Sequence, residues 1–240
     1  MTDKRDINNF ISRYHLGGNI ERVKWVSDGD CLKADFINDS QNLVGHVLAN
    51  NLKLPAGEFG VYSTSTLSKL LNILDLEILF EVNKVGNTPS KFLIADTNID
   101  ISFNLADPQV IPSVPKINPT EGDIEVGLDD EFVTKFIKSR DALGEEVFYV
   151  TTQDGFTSKE VKFTIGNSSS NSVSFAVEIP DEGIELNNIP FNALLVKEIF
   201  KHNRGFDSGA LKINPKGLMT FAFKFGDLET NYYLVRNQNQ

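Results

Sequence analysis

Four of the chain's nine prolines fall within fourteen residues near its midpoint, in ADPQVIPSVPKINP (106–119). They recur at intervals of four, three and four residues, at Pro108, Pro112, Pro115 and Pro119. Proline lacks an amide proton and fixes its own φ, so neither a helix interior nor a central strand accommodates this spacing. Because strand-like, aromatic-rich sequence flanks the segment on both sides, we predict that residues 106–118 form an extended connector, which runs along the outer surface between two folded halves.

The two halves repeat one order of elements. A chain of 240 residues is long enough for two domains of ordinary size. Apolar residues at helical spacing predict four helices, at 3–15, 64–75, 129–142 and 191–204. The second helix of each half is followed by three predicted strands, at 77–84, 91–95 and 99–104 and at 209–214, 218–225 and 230–236. We therefore predict an α+β fold with two similar domains, residues 1–105 and 119–240.

The sequence carries no recognisable catalytic constellation. Three histidines, His15, His46 and His202, lie far apart, and none has a second ligand at metal-binding spacing. Nucleotide-binding and nucleophile-elbow motifs are missing from the sequence. The segment SDGD (27–30) favours a hairpin turn over a calcium loop, because the other ligands of such a loop are missing. We expect no enzymatic activity, no catalytic residue, no metal site and no cofactor.

Composition limits where the protein acts. The chain has 23 basic and 33 acidic residues, a net charge of −10, which argues against a surface coated with positive charge. It has no 18-residue apolar run, no apolar segment near the N-terminus and a single cysteine. These features predict a cytoplasmic protein that does not enter membranes, located in the host cell cytoplasm if it is viral.

Charge is unevenly distributed between the predicted helices and the rest of the chain. The helices contain ten basic and eight acidic residues, a net charge of +2, against −12 elsewhere. Five of the eight acids lie in first turns, where the helix dipole favours them. Two explanations are open: the basic residues serve solubility, or they form a local binding surface. The ten are Lys4, Arg5, Arg13, Lys69, Lys135, Lys138, Arg140, Lys197, Lys201 and Arg204.

Two stretches carry a family resemblance. EFGVYSTSTLSKLLNIL (58–74) resembles the strand that leads through a tyrosine into the second helix of DNA sliding clamps of the T-even bacteriophage type. KFLIADTNIDISFNLADPQVIPSVPKI (91–117) is similar to the consecutive strands and the Val/Pro-rich connector of the same clamps. Elsewhere the likeness lies in the order of elements.

The resemblance implies a ring-forming fold, in which antiparallel sheets lie outside and two helices per domain lie inside. Six such domains complete a ring, so three chains are expected. It also implies a processivity factor for viral DNA replication, which encircles duplex DNA without sequence preference and tethers the DNA polymerase. An ATP-dependent clamp loader would open the ring, because the chain has no nucleotide-binding motif. The ten basic residues become candidates for the DNA-facing surface, led by Lys135, Lys138, Lys197 and Lys201.

The resemblance also implies a groove beside the connector that takes short peptides from partner proteins. Its candidate walls are Val110, Ile111 and Pro112, with Tyr232, Tyr233 and Val235 from the last predicted strand. Ordinary strand packing is the competing explanation for the two tyrosines. For the whole chain, the competing hypothesis is a symmetric, β-rich structural or assembly protein of a phage that has no role with DNA.

Overall fold

Two compact units make up the chain. The structure, a computed structural model, describes residues 2–117, 123–167, 169, 171–180 and 183–238. Unit 1 contains the residues up to Pro115 together with Gly226–Thr230. Unit 2 contains Lys116–Phe225 together with the residues from Asn231 onward. Asn118, the last residue of the predicted connector, lies outside the described residues.

Unit 1 combines two helices with two antiparallel sheets. The helices are α1 (Lys4–His15) and α2 (Thr64–Asn72). The strands are β1 (Thr2–Asp3), β2 (Val23–Ser27), β3 (Cys31–Ile37), β4 (Leu43–Asn50), β5 (Gly57–Val61), β6 (Glu77–Val85), β7 (Thr88–Ala95) and β8 (Asp100–Asn104). One sheet has the order β1-β6-β7-β8, and the other contains β5-β2-β3-β4.

Unit 2 has the same components. Its helices are α3 (Asp130–Leu143) and α4 (Ala193–His202). The strands are β9 (Ile124–Gly127), β10 (Val147–Asp154), β11 (Lys159–Gly166), β12 (Ser172–Ile179), β13 (Ile189–Asn192), β14 (Ser208–Asn214), β15 (Leu218–Phe225) and β16 (Leu228–Val235), and the first three residues of β16 are grouped with unit 1. One sheet has the order β12-β11-β10-β13, and the other contains β9-β14-β15-β16.

The strand pairings show that the two units repeat one topology. In each, the strand before the first helix pairs with the strand after the second helix, β1 with β6 and β9 with β14. The fourth strand between the helices pairs with the first, β5 with β2 and β13 with β10. The predicted α+β class and the predicted repeat are therefore confirmed, and all four predicted helices are present with slightly shifted ends.

Polar contacts inside unit 1 fix α2 against α1. The Trp25 indole donates to the Tyr14 hydroxyl at 3.2 Å, and that hydroxyl lies 3.3 Å from Thr64 Oγ1. Burial raises the pKa of the Tyr14 phenol, so its proton stays in place. Since Thr64 is the first residue of α2, this chain of contacts joins β2, α1 and the start of α2.

The core of unit 2 is built from phenylalanine rings and one buried amide. Phe132 and Phe136 of α3 both meet Phe200 of α4 edge to face. Beyond the end of α4, the buried Asn203 amide donates to the Ile199 carbonyl and to the Tyr232 hydroxyl, each at 2.8 Å. Asn203 thus both caps α4 and holds that helix to β16.

A backbone hydrogen bond holds the start of the connector to β5. The Ala106 amide donates to the Gly60 carbonyl at 2.8 Å, in an isolated antiparallel bridge to β5. Asp107 follows, and its carboxylate accepts the Gln109 amide at 2.9 Å. The ADP motif at 106–108 therefore has a structural role, since it anchors the connector to unit 1.

The prediction of an extended connector is wrong for three residues. Residues Pro108–Val110 form a single 3₁₀ turn, and the described residues that follow, 112–117, have no regular structure. Proline is favoured in the first turn of a helix, where its missing amide proton costs nothing, and Asp107 supplies the cap. The spacing excludes a long helix but not one turn.

Candidate nucleic-acid interface

Each unit presents a polar helix surface. The helices pack in pairs, α1 with α2 and α3 with α4, and α1, α3 and α4 also contact strands of their own unit. Their apolar residues point inward, as Phe10 and Tyr14 of α1 and Phe136 of α3 show, all at most 1% exposed. Polar residues are left on the outer faces of all four helices.

The observed helix bounds sharpen the charge difference. Asp3 and Asp129 precede the helices as N-caps, where they accept the Arg5 and Phe132 amides. The four helices then contain nine basic and five acidic residues, a net charge of +4. The other residues carry the balance of the chain's −10, which is −14. The helices are therefore the basic part of an acidic chain.

The six candidate cations of unit 2 differ in accessibility. Lys135, Lys138, Lys201 and Arg204 are exposed. Lys197 and Arg140 are largely buried, with side chains 20% and 17% exposed. Lys135 pairs with Glu131 of its own helix at 2.6 Å, and Lys201 pairs with Glu198 at 3.3 Å.

Asp141 links the two helices of unit 2. Its carboxylate accepts the Lys197 ammonium at 2.6 Å and lies 3.5 Å from the Arg140 guanidinium. The hydrogen bond from Lys197 is the main reason that the pKa of Asp141 is lowered, with Arg140 adding to it. At neutral pH this carboxylate is charged and occupied by two cations.

The four candidate cations of unit 1 are also partly occupied. Arg5 makes an ion pair with Asp3 at 2.6 Å, and the Lys4 ammonium donates to the Leu74 carbonyl. Arg13 donates to the Ser12 hydroxyl at 3.0 Å and to a backbone carbonyl. Lys69 is exposed and has no ion pair within the described ranges.

Charge counting misses the neutral hydrogen-bonding groups of unit 1. Amide and hydroxyl side chains occupy the outer positions of α1 and α2, half-exposed or exposed, at Asn8, Asn9, Ser12, Ser65, Ser68 and Asn72. Such groups also donate hydrogen bonds to phosphate oxygens, without adding a net charge. The sequence alone could have identified these groups, because they occupy the positions of α1 and α2 between the apolar residues at helical spacing.

Residues considered for metal chemistry have structural partners. Asp28 accepts the amides of Asp30 and Cys31 at 3.0 and 2.8 Å, and β2 pairs with β3, which confirms the predicted hairpin. His15 lies within 3.2 Å of Glu21 and 3.0 Å of Ser65. Within the described part of the chain, no group of His, Cys, Asp and Glu could hold a metal ion, and no helix is long and apolar enough to span a bilayer.

The connector borders a cavity in unit 1. Of the candidate wall residues, Val110 and Pro112 are exposed and Ile111 is buried. The cavity has a volume of about 430 Å³ and is lined by Arg22, Ile37, Asn38, Asp39, Gln41, Pro112, Ser113 and Pro115. Arg22 forms a 2.6 Å ion pair with Asp39 and lies 5.9 Å from the centre of the Tyr62 ring.

Tyr232, a candidate groove wall, lies in the core of unit 2. Its side chain is fully buried, its hydroxyl accepts the Asn203 amide, and its ring packs edge-on against Phe223. Both ends of the side chain are thus committed to the core of unit 2, which is the strand-packing explanation. Tyr233 is half-buried and Val235 is exposed.

Solved structures with the same fold include clamps from three domains of life. Proliferating Cellular Nuclear Antigen (PCNA) from Entamoeba histolytica superposes with a TM-score of 0.73 at 15% identity, covering 98% of this chain and 96% of that one. A. fulgidus PCNA, solved with the C-terminal region of FEN-1 bound, gives a TM-score of 0.70 at 16% identity, covering 100% and 98%. The chain has the sliding-clamp fold.

The bacterial clamp is longer than this chain. Caulobacter crescentus pol III beta gives a TM-score of 0.72 at 10% identity over 99% of this chain, which spans 65% of that one. No protein-family model matches the sequence, and no curated protein is similar to it in sequence. At these identities the likeness concerns the fold, and the T-even bacteriophage type stays a prediction.

Proposed function

We propose that the chain is a DNA sliding clamp, a non-enzymatic processivity factor that encircles duplex DNA and tethers the replicative polymerase. The observation that carries this proposal is the coincidence of the clamp fold with basic helices on an otherwise acidic chain. The four helices have a net charge of +4, whereas the rest of the chain carries −14. A ring that holds DNA needs that distribution.

Open sheet edges support a closed ring of three chains. Four edge strands are covered or short. Ala106 bridges to β5, the Asn237 amide donates to the Pro190 carbonyl of β13, and β1 and β9 have only two and four residues. β8 and β12 are longer and end their sheets without a further strand among the described residues. Unpaired edges favour pairing with another chain. Since β8 and β12 differ, pairing one with the other is head-to-tail and generates a ring when the rotation closes.

The helix surfaces suit contact with any DNA sequence. Lysine and arginine neutralise phosphates without reading bases, and Asn and Ser donate to phosphate oxygens. Retention on DNA would be topological, with each contact weak and sensitive to salt. Base-specific contacts would oppose sliding.

Two classes of partner follow from this role. The A. fulgidus clamp was solved with a C-terminal region of its partner FEN-1 bound. By analogy, a short segment of the polymerase would bind here beside the connector at Val110, Ile111 and Pro112, with Tyr233 and Val235 as further candidates. An ATP-dependent clamp loader would open the ring, in the cytoplasm of the cell that replicates the DNA.

Light scattering with a low-resolution image tests the ring first. We expect a mass of three chains and a central hole wide enough for duplex DNA. A single-chain mass at working concentration, or a closed particle with no hole, would contradict the proposal and favour a structural role without DNA.

Charge reversal then tests the surface. Lys138→Glu with Lys201→Glu should reduce loading and stimulation of DNA synthesis while three chains still assemble. The matched control reverses two exposed lysines outside the helices, Lys53→Glu with Lys84→Glu. If stimulation at low salt is unchanged by the first pair, or falls equally with the control pair, the helix lysines serve solubility.

A further inference from the structure

Acidic side chains hold most cations of the unit 2 helix surface. Glu131 pairs with Lys135, Glu198 with Lys201, and Asp141 with Lys197 and Arg140. Each of the first two pairs lies within a single helix, at i,i+4 and i,i+3, and exposed pairs of this kind contribute little to stability. The Asp141 pair joins two helices and has largely buried cations, so it is the more persistent.

Two lysines of the helix surfaces remain without any such partner. Lys69 of α2 and Lys138 of α3 are exposed and make no ion pair or hydrogen bond in the described part of the chain. There is one in each unit. Their ammonium groups can approach a phosphate with no competing carboxylate to displace.

Asp141 is positioned to compete with phosphate. Its side chain is 47% exposed, and those of Lys197 and Arg140 are 20% and 17% exposed. A DNA phosphate can therefore reach these cations only by displacing or approaching a charged carboxylate. A phosphate that displaces Asp141 breaks its 2.6 Å hydrogen bond with Lys197. A phosphate that approaches without displacing Asp141 is repelled by the charged carboxylate. Both effects weaken binding by Lys197 and Arg140.

We propose that Asp141 restrains the clamp's affinity for DNA by occupying Lys197 and Arg140. The proposal rests on the proposed function, since it concerns the same surface. A clamp must hold DNA and still slide along it. A carboxylate that competes with phosphate for the same cations keeps their attraction to DNA weak.

Asp141→Asn tests the restraint. Binding of a fluorescent duplex is measured by anisotropy across a salt series, with the intact protein. We expect roughly two- to fivefold tighter binding at low salt. The plot of log affinity against log salt should steepen by about 0.9 for each freed cation that meets a phosphate. Adding Lys197→Met to Asp141→Asn should reverse most of the gain.

Two further variants keep the result interpretable. Glu81→Gln changes the net charge equally on an exposed residue of β6 and should leave affinity and slope unchanged. Glu131→Gln frees Lys135 without touching the contact between α3 and α4, and should tighten binding in the same direction, even if Asp141→Asn unfolds.

The outcomes separate the two proposals. If wild type binds DNA and folded Asp141→Asn binds no more tightly than Glu81→Gln, the restraint is refuted whatever Glu131→Gln does, and the clamp function stands. If all three gain equally, net charge alone explains the effect and the restraint is again refuted. If no variant binds DNA at low salt, both proposals fail.

Discussion

Replacing Gly60 by alanine should detach the start of the connector. Gly60 lies in β5 where the Ala106 backbone crosses it, and a β-carbon there would lie 2.4 Å from the Ala106 carbonyl oxygen and 3.0 Å from the Ala106 carbonyl carbon. Both are backbone atoms, so no side-chain rotation relieves the contact. The shorter of these distances is about 1 Å less than a van der Waals contact.

The expected cost has two parts. Separating the strands by that distance breaks the 2.8 Å hydrogen bond from the Ala106 amide to the Gly60 carbonyl, worth about 0.5–1.5 kcal/mol. Residual strain in β5, which stays paired with β2, adds about 1 kcal/mol by comparison with overpacked cores. We expect a loss of roughly 1.5–2.5 kcal/mol in the free energy of unfolding, the sum of these two ranges.

Urea denaturation measures the loss, and hydrogen exchange at the Ala106 amide shows where it arises. The matched control is Gly127→Ala in β9, where an added β-carbon meets no atom within 4 Å. Gly127→Ala should change stability little. The reasoning is refuted if Gly60→Ala is as stable as Gly127→Ala and the Ala106 amide stays equally protected.

Two other predictions concern α2 and the connector. Partial burial opposes ionisation of Glu21, but hydrogen bonds from Ser65 and His15 outweigh it and lower its pKa. Its contribution is therefore present above the ordinary pKa of a glutamate and lost as pH falls through the lower, folded value. The stability advantage of wild type over Glu21→Gln should accordingly shrink between about pH 5 and pH 3 in urea titrations. For the connector, Val110→Asp with Tyr233→Ala should weaken binding of a polymerase C-terminal peptide in calorimetry. The control Val85→Asp, an exposed change at the tip of the β6–β7 hairpin, should leave that binding unchanged. Equal affinity of both variants would exclude this groove.

Architecture was predictable because it depends on local patterns repeated twice. Apolar spacing in α1 and α3 places Phe10 and Phe136 on buried faces, and the Asp28-Gly29 turn fixes the β2–β3 hairpin. Each signal lies within a few residues. Their shared order across the two halves identified the repeat without any long-range information.

Two features that the sequence did not reveal depend on contacts between distant residues. Tyr232 has the alternation of an ordinary strand residue, and only the position of Asn203, 29 residues away, shows that its hydroxyl is satisfied inside the core. The Asp141–Lys197 pair spans 56 positions, so helix spacing cannot reveal it, whereas Glu131–Lys135 could have been read from its i,i+4 spacing. Counting charges therefore did not show that Lys197 is paired with Asp141.

The helix surfaces of the two repeats differ in chemistry. Unit 1 offers neutral donors such as Asn9 and Ser68 around one unpaired lysine, Lys69. Unit 2 offers more cations but binds most of them to acids, again leaving one unpaired lysine on its helices, Lys138. Hydrogen bonds from neutral groups depend little on salt, whereas lysine contacts release counterions. Under the proposed function, neither kind of surface would hold a phosphate strongly enough to stop the movement of the duplex.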